Sequence, residues 1–220
     1  MLKITPEVSP GQVEDVKDLT PKVLSSESVW QGKVFGMRTD VVELAPGTKP
    51  VVRDYLDHTG AVAIACIRDQ QDAAGNLTPH ILLVSQYRHP VRATLWEIPA
   101  GLLDKEGETP LEAAKRELRE ETDLMAAKWV VLVDIFTSPG ASDEALRVFM
   151  ATDVAPCPVP FERTEEEALM RTSWVPIREA VQKVFDGSLH NPSAVVGTLA
   201  AWGALEDGAV TRPADAPWFR

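Results

Sequence analysis

The 220-residue sequence is poor in cysteine: Cys66 and Cys157 are its only two, and they lie far apart. That excludes a disulfide framework and a cysteine-based zinc site, and a reducing cytoplasm is the simplest compartment for such a chain. No stretch approaches the ~18–20 uninterrupted apolar residues needed to span a bilayer, so no membrane partner is expected. The start, MLKITPEVSP, reaches Pro6 before the apolar core of a signal peptide could form. Positive charge is also in short supply, with 22 Lys and Arg against 33 Asp and Glu and a net charge of −11. A nucleic-acid backbone would be repelled at long range, so nucleic acid is not an expected partner. A small phosphorylated substrate is still admissible, because divalent cations can sit between two sets of anions. Internal repeats and long low-complexity segments are absent too, which excludes solenoids and arrays.

What is present is the composition of a globular protein, 45% hydrophobic and 25% charged. Residues 1 to about 25 are polar with scattered prolines and read as an arm. Short alternating apolar groups over 29–44 predict a strand or hairpin, ended by the turn signal Ala45-Pro46-Gly47. Val51 to Leu56 is a further strand, and AVAIACI over 61–67 reads as one buried on both faces. Residues 69–79 read as a loop and 80–87 as a strand. Past the segment treated next, 129–136, 146–151 and 170–176 are strand-like, while the proline-rich 153–167 is a loop. Helical spacing marks 177–185 and 193–205, with Gly187 as a stop and Asn191-Pro192 as a start. The expected architecture is a mixed sheet with a few helices, α+β or an α/β/α sandwich. Its organisation is an arm and small β-sheet over 1–57, a core over 58–206, and an extended tail over 207–220.

The chemistry sits in residues 97–124, EIPAGLLDKEGETPLEAAKRELREETDL. Thr109-Pro110-Leu111-Glu112 is a complete helix start: a capping threonine, proline at the first helical position, and a glutamate that closes a capping box. Leu111, Ala114 and Leu118 then form one apolar stripe, and Glu117, Glu120 and Glu121 converge on a neighbouring face. Like charges at i,i+4 cost roughly 0.2–0.5 kcal/mol per pair. The bland account is a solvated face laced by Glu112–Arg116 and Arg116–Glu120 pairs. The alternative is a divalent cation between Glu117 and Glu121, since hard oxygens on a rigid helix suit magnesium. Spacing alone does not choose.

The full pattern strongly resembles the Nudix box: a glycine, five residues, a glutamate, seven residues, then Arg-Glu-apolar-any-Glu-Glu-any-Gly-apolar. Gly101 opens it, Glu108 is the first glutamate, and Arg116-Glu117-Leu118-Arg119-Glu120-Glu121 is the central block, ended by Leu124. There are two departures. The first gap has six residues, and Asp123 stands in place of the glycine; aspartate tolerates the left-handed conformation better than most residues. Gln86-Tyr87-Arg88, Glu97-Ile98-Pro99-Ala100-Gly101, the run 138–144 (SPGASDE) and Trp174-Val175-Pro176 further resemble the actinobacterial branch of the ADP-ribose pyrophosphatase family. The resemblance covers roughly residues 30–205.

That resemblance implies a Nudix fold with a mixed central sheet and an N-terminal antiparallel sheet that dimerises the chain as a homodimer. It implies two or three Mg2+ ions per site, or Mn2+, held by Glu117, Glu121, the Ala100 carbonyl and Glu120. Gly101 and Arg116 would be structural, with Arg116 orienting the carboxylates. The general base would come from a loop matching 164–167: Glu167 first, Glu165 second, and Glu144 third from another family motif. Arg88 would contact a phosphate, and Arg53 would reach the neighbouring subunit's site. Trp30 and Phe35 would flank adenine, core packing being the alternative for both. The implied reaction converts ADP-ribose and water to AMP and ribose 5-phosphate. GDP-mannose or a UDP-sugar is the alternative substrate, and a non-catalytic ADP-ribose sensor ranks below both because the box glutamates are intact.

Overall fold

In a computed structural model of the chain, residues 9–72, 74–162 and 170–220 are described. The chain divides into two compact units, Met1–Leu56 and Asp57–Arg220. The first holds an antiparallel hairpin of β1 (Lys22–Gln31) and β2 (Gly36–Glu43), extended by β3 (Val51–Asp57) into a three-stranded sheet. β3 is tied to β2 by Thr39 donating to Asp54 at 2.6 Å and by Tyr55 donating to Asp40 at 3.3 Å. β1 begins inside the stretch that reads as a polar arm. Every residue along it is exposed, so the sequence carries no alternation of buried and open positions to announce the strand.

The second unit contains β4 (Ala61–Gln71), β5 (Leu77–Arg88), β6 (Ala93–Glu97), β7 (Ala100–Leu102), α1 (Pro110–Thr122), β8 (Leu124–Phe136), β9 (Ala145–Pro156), β10 (Arg171–Pro176), α2 (Ile177–Phe185), α3 (Pro192–Glu206) and β11 (Arg212–Pro213). Its sheet runs β10-β5-β4-β9-β8-β11, with β6 on β5 and β7 on β4. β4 and β9 pair in parallel, whereas β5, β7 and β8 pair with their neighbours antiparallel, so the sheet is mixed. β4 is its hub. Val62, Ile64 and Cys66 pack under α1 with Ala113, Ala114, Leu118 and Phe149. Ala61, Ala63, Ala65 and Ile67 face the other way, toward Ala180 of α2 and Ala201 of α3. Period-two alternation in a run that is apolar throughout thus builds two cores, and the result is an α/β/α sandwich. Gly197 lets α3 close on the sheet, since a Cβ there would stand 2.6 Å from Ile98 Cδ1.

Several strands outrun their apolar signal. β4 and β5 continue as a hairpin through Asp69↔Pro79 to Gln71↔Leu77, well into the loop expected over 69–79. The ladder there is backbone pairing without burial, which hydrophobic patterning does not record. β8 likewise starts at Leu124 and β9 ends at Pro156, while β6 and β7, five and three residues long, carry too little pattern to be read.

The C-terminal tail is docked. β11 pairs with β8 through Arg212↔Val131 and Pro213↔Val130. Arg147, its side chain 3% exposed, binds Asp134 with two hydrogen bonds of 2.8 and 2.9 Å and donates to the carbonyls of Ala216 and Pro217. Its guanidinium also lies 4.8 Å from the ring centroid of Trp218. Among the described residues, no helix is long and apolar enough to cross a membrane. Removing one partner of a buried charge pair typically costs ~3–5 kcal/mol. Arg147→Leu should approach that loss in urea unfolding, softened because Arg212 still reaches Asp134, and should open 214–220 to proteolysis. A loss below about 1 kcal/mol with an intact tail would contradict this anchoring.

Candidate active site

α1 begins as its sequence specifies. Thr109 Oγ1 accepts from the Glu112 N–H, and the Glu112 carboxylate accepts from the Thr109 N–H at 2.8 Å, a reciprocal capping box with Pro110 at the first position. Glu112 is therefore occupied at the cap, and the Glu112–Arg116 pair of the solvated-face reading does not form. Arg116 instead turns along the helix. It binds both oxygens of Glu108 at 2.8 Å, Glu120 at 3.1 Å, and the Glu117 carboxylate. These bonds hold the Glu108 carboxyl below its ordinary titration range and the guanidinium firmly charged. Lys105 stands 4.0 Å from Glu120.

Glu121 lies on the inner side of the helix, 9% exposed, and accepts from the Ala100 N–H at 3.2 Å. Burial raises its carboxyl to about 8, and the negative charge of Glu117 adds to the rise. Glu117 is also pushed up by burial, against the pull of Arg116. Gly101 makes room for the pair: a Cβ at that position would run into the Glu117 carboxylate. β7 pairs with β4 through Ala63↔Ala100 and Val62↔Gly101, and α1 packs on the same stretch of β4, so sheet and helix together fix this juxtaposition. Among the described residues, no three His, Cys, Asp or Glu side chains already stand as a ligand cluster. Glu117 is drawn onto Arg116. The donor set nevertheless fits a hard cation: two carboxylates compressed in a poorly solvated pocket beside a backbone strand are relieved by a positive ion.

The remaining candidates fall into separate groups. Arg88 makes a two-pronged pair with Glu97, at 2.7 and 2.6 Å, the arginine side chain 43% exposed and the glutamate 3%. Glu97 received no role from the sequence, although it opens the run Glu97-Ile98-Pro99-Ala100-Gly101 that carries the family resemblance. Arg88 and Glu97 both act on Glu121, the first lowering and the second raising its pKa. Glu144 accepts from Thr137 Oγ1 at 2.5 Å and lies 3.9 Å from His58 Nε2. Neighbouring Asp143 accepts from the His58 N–H at 2.9 Å. Glu144 directly precedes β9, whose Leu146 and the β7 residue Leu102 both face Ala61, so it stands at the β7 end of β4. Arg53, Trp30 and Phe35 lie in the first unit. Arg53 donates to the Val52 carbonyl, and the two rings are 5.9 Å apart. Trp30 and Phe35 are 52% and 39% exposed in the single chain. Glu165 and Glu167 lie outside the described residues.

Residues 57–193 match the NUDIX domain. The match spans well over half the chain, and the chain belongs to that family of hydrolases, which depends in general on divalent metal ions. A relative described as ADP-ribose pyrophosphatase from Mycobacterium tuberculosis is 43% identical over 198 residues, covering 90% of this chain and 91% of that protein. Another of the same description from Bacillus subtilis is 37% identical over 152 residues, covering 69% and 77%. A crystal structure of an ADP compounds hydrolase superposes with a TM-score of 0.70 at 21% identity, covering 88% of this chain and 98% of the other, which shows a shared fold.

The elevated Glu121 pKa has a signed consequence. Its folded value, about 8, exceeds the ordinary 4.5, so its contribution to stability is fully present below about 4.5 and is lost as pH rises through about 8. Without divalent ions, wild-type protein should lose more stability between roughly pH 5 and 9 than Glu121→Gln does. Denaturant titrations with chelator measure the difference, and identical pH profiles would contradict the burial of this charge.

Proposed function

We propose that the chain hydrolyses the pyrophosphate bond of ADP-ribose to AMP and ribose 5-phosphate, with Mg2+, or Mn2+ in its place, as two or three ions per site. The observation that carries this reading is the buried Glu117–Glu121 pair fitted against Gly101 on the box helix. The two relatives of 43% and 37% identity supply the substrate class, a nucleoside diphosphate sugar.

Glu117, Glu121 and the Ala100 carbonyl would hold the ions, with Glu120 as a further ligand. Once bound, the ions neutralise the two phosphates, make a bound water more acidic and stabilise the leaving oxygen. Arg116 keeps Glu117 and Glu120 on one side of the helix while itself fastened to Glu108. Glu97 fixes the Arg88 guanidinium as a phosphate contact. A carboxylate takes the proton of the attacking water, in the order of preference Glu167, Glu165, Glu144. Trp30 and Phe35 would flank adenine. Arg53 would serve the neighbouring site of a homodimer, in which the exposed apolar residues of the first sheet, Val23, Val29, Met37 and Val52 among them, find cover.

The deciding experiment is a panel of nucleotide sugars with magnesium, manganese or chelator, scored for the nucleoside monophosphate released. ADP-ribose should lead and chelator should abolish the reaction. Preference for GDP-mannose or a UDP-sugar would move the substrate, and binding without turnover would indicate a sensor. Loss of general-base help costs ~10²–10⁴-fold, so Glu167→Gln should fold and turn over that much more slowly, with Glu121→Gln at least as slow. Near-normal turnover of both would refute the assignment. Gly101→Ala should fold yet bind Mn2+ on the order of 10–100-fold more weakly, because it displaces Glu117. Unaltered affinity would remove Glu117 from the ion site.

A further inference from the structure

In the short turn ahead of β4, His58 engages three groups at once. Its backbone N–H donates to the Asp143 carboxylate at 2.9 Å, and its ring Nδ1 accepts from the Gly60 N–H at 3.0 Å. Its Nε2 lies 3.9 Å from Glu144 Oε1. A backbone N–H can only donate, so Nδ1 carries no proton and the ring proton sits on Nε2, facing Glu144. With Nδ1 occupied and Nε2 protonated, the imidazole is a fixed donor and not a proton acceptor. Glu144 is gripped from its other side. Its Oε2 accepts from Thr137 Oγ1 at 2.5 Å, and its carbonyl accepts from the Thr137 N–H at 3.1 Å. Each carboxylate oxygen therefore faces a donor, the His58 ring at a distance that allows attraction but exceeds a hydrogen bond. The turn is braced as well: Gly60 has φ +85°, a Cβ there would stand 3.2 Å from the Ala145 carbonyl oxygen, and Arg220 donates to the Thr59 carbonyl. The His58 side chain is 12% exposed and that of Glu144 29%, so the carboxylate keeps an open edge while the ring behind it is nearly closed off.

We propose that His58 is a positioning residue whose Nε2–H, together with the Thr137 hydroxyl, sets the direction of the Glu144 carboxylate. The inference rests on the reading that Glu144, one of the three carboxylates offered for the attacking water, takes part in the hydrolysis. A glutamate side chain has several freely turning bonds, and ordering them costs free energy. Donors facing both oxygens meet that cost before substrate arrives, so the carboxylate waits in one orientation. The Gly60 N–H contributes at one remove, because it decides which ring nitrogen carries the proton.

The test uses His58→Asn and His58→Gln, alone and combined with Glu144→Gln, in steady-state release of AMP. Asparagine places an acceptor oxygen where Nδ1 stood and no donor at Nε2. Glutamine places an amide N–H where Nε2 stood and gives up the Gly60 bond. Turnover should fall about tenfold in His58→Asn and less than about threefold in His58→Gln, within the ~10²-fold that a 1 Å misplacement of a catalytic group costs. In the Glu144→Gln background His58→Asn should cost less than about twofold more. Mn2+ affinity should hold within about twofold, since no proposed ion ligand is among these partners of His58. Nitrogen NMR should show a bare Nδ1 and a protonated Nε2, the latter shifting in Glu144→Gln. Wild-type turnover in His58→Asn, a proton on Nδ1, or an undiminished loss in the Glu144→Gln background would each overturn the proposal. So would a glutamine variant slower than the asparagine one, the order expected if His58 only held the turn. Wild-type turnover in Glu144→Gln would also overturn it while leaving ADP-ribose hydrolysis intact. If wild type itself releases no nucleoside monophosphate, the functional reading fails on its own, and the Nε2 shift then decides the pairing.

Discussion

Two carboxylates one helical turn apart repel each other, and here the fold removes much of the water that would screen them. Everything around the site follows from keeping Glu117 and Glu121 together under that strain. The helix is held by an apolar underside, Ala113, Ala114 and Leu118 against Val62 and Ile64 of β4, and by a fully bonded N-terminus. Burying Leu118, Val62 and Ile64 is worth ~1.5–3 kcal/mol each, and the cap about 1 kcal/mol. Together these exceed a like-charge i,i+4 penalty of a few tenths of a kcal/mol several times over, so the helix tolerates the repulsion without unwinding. Burial costs more than spacing does: desolvation, the larger cause, lifts Glu121 to about 8.

Arg116 is the counterweight on the outer side. One guanidinium serves Glu108, Glu117 and Glu120, so three of the box carboxylates share a single fixed cation. Glu121 is served differently, by the Ala100 N–H and by the nearby charge of Arg88, which Glu97 holds. The two arrangements divide the labour. Arg116 binds Glu117 and Glu120 on the outer side, whereas the Ala100 N–H of β7 binds Glu121 and Gly101 leaves room for the Glu117 side chain. The room left by the missing side chain at Gly101 is taken up by Glu117 itself, so a side chain there would displace that carboxylate.

The parts of the molecule that depend on local order were legible in the sequence. Thr109, Pro110 and Glu112 specify the start of α1; the box fixes where its glutamates stand; AVAIACI announces a strand between two cores. Asp123 was read as able to end the helix in a left-handed turn, and it does so at φ 56°. What stayed hidden depends on partners distant in the chain. The carboxylate of Asp123 meets an N–H 38 residues on, and Arg147 meets carbonyls 69 and 70 residues on, neither foreshadowed by spacing. β1 and the outer hairpin of β4 and β5 lack a buried face, and β6 and β7 are too short for a period to emerge. Glu97 stood in a motif that carries the resemblance, but its pairing with an arginine nine residues away was not announced by spacing.

The account turns on where cations sit. Crystals grown with Mn2+ and a non-hydrolysable ADP-ribose analogue, measured at the manganese absorption edge, locate the metal by its anomalous scattering. The account predicts anomalous peaks against the carboxylates of Glu117 and Glu121 and the Ala100 carbonyl, in contact with the diphosphate, with Glu117 turned from Arg116 toward the metal. Peaks elsewhere on the chain, or a diphosphate bound while Glu117 remains on Arg116 and no metal touches Glu121, would contradict it.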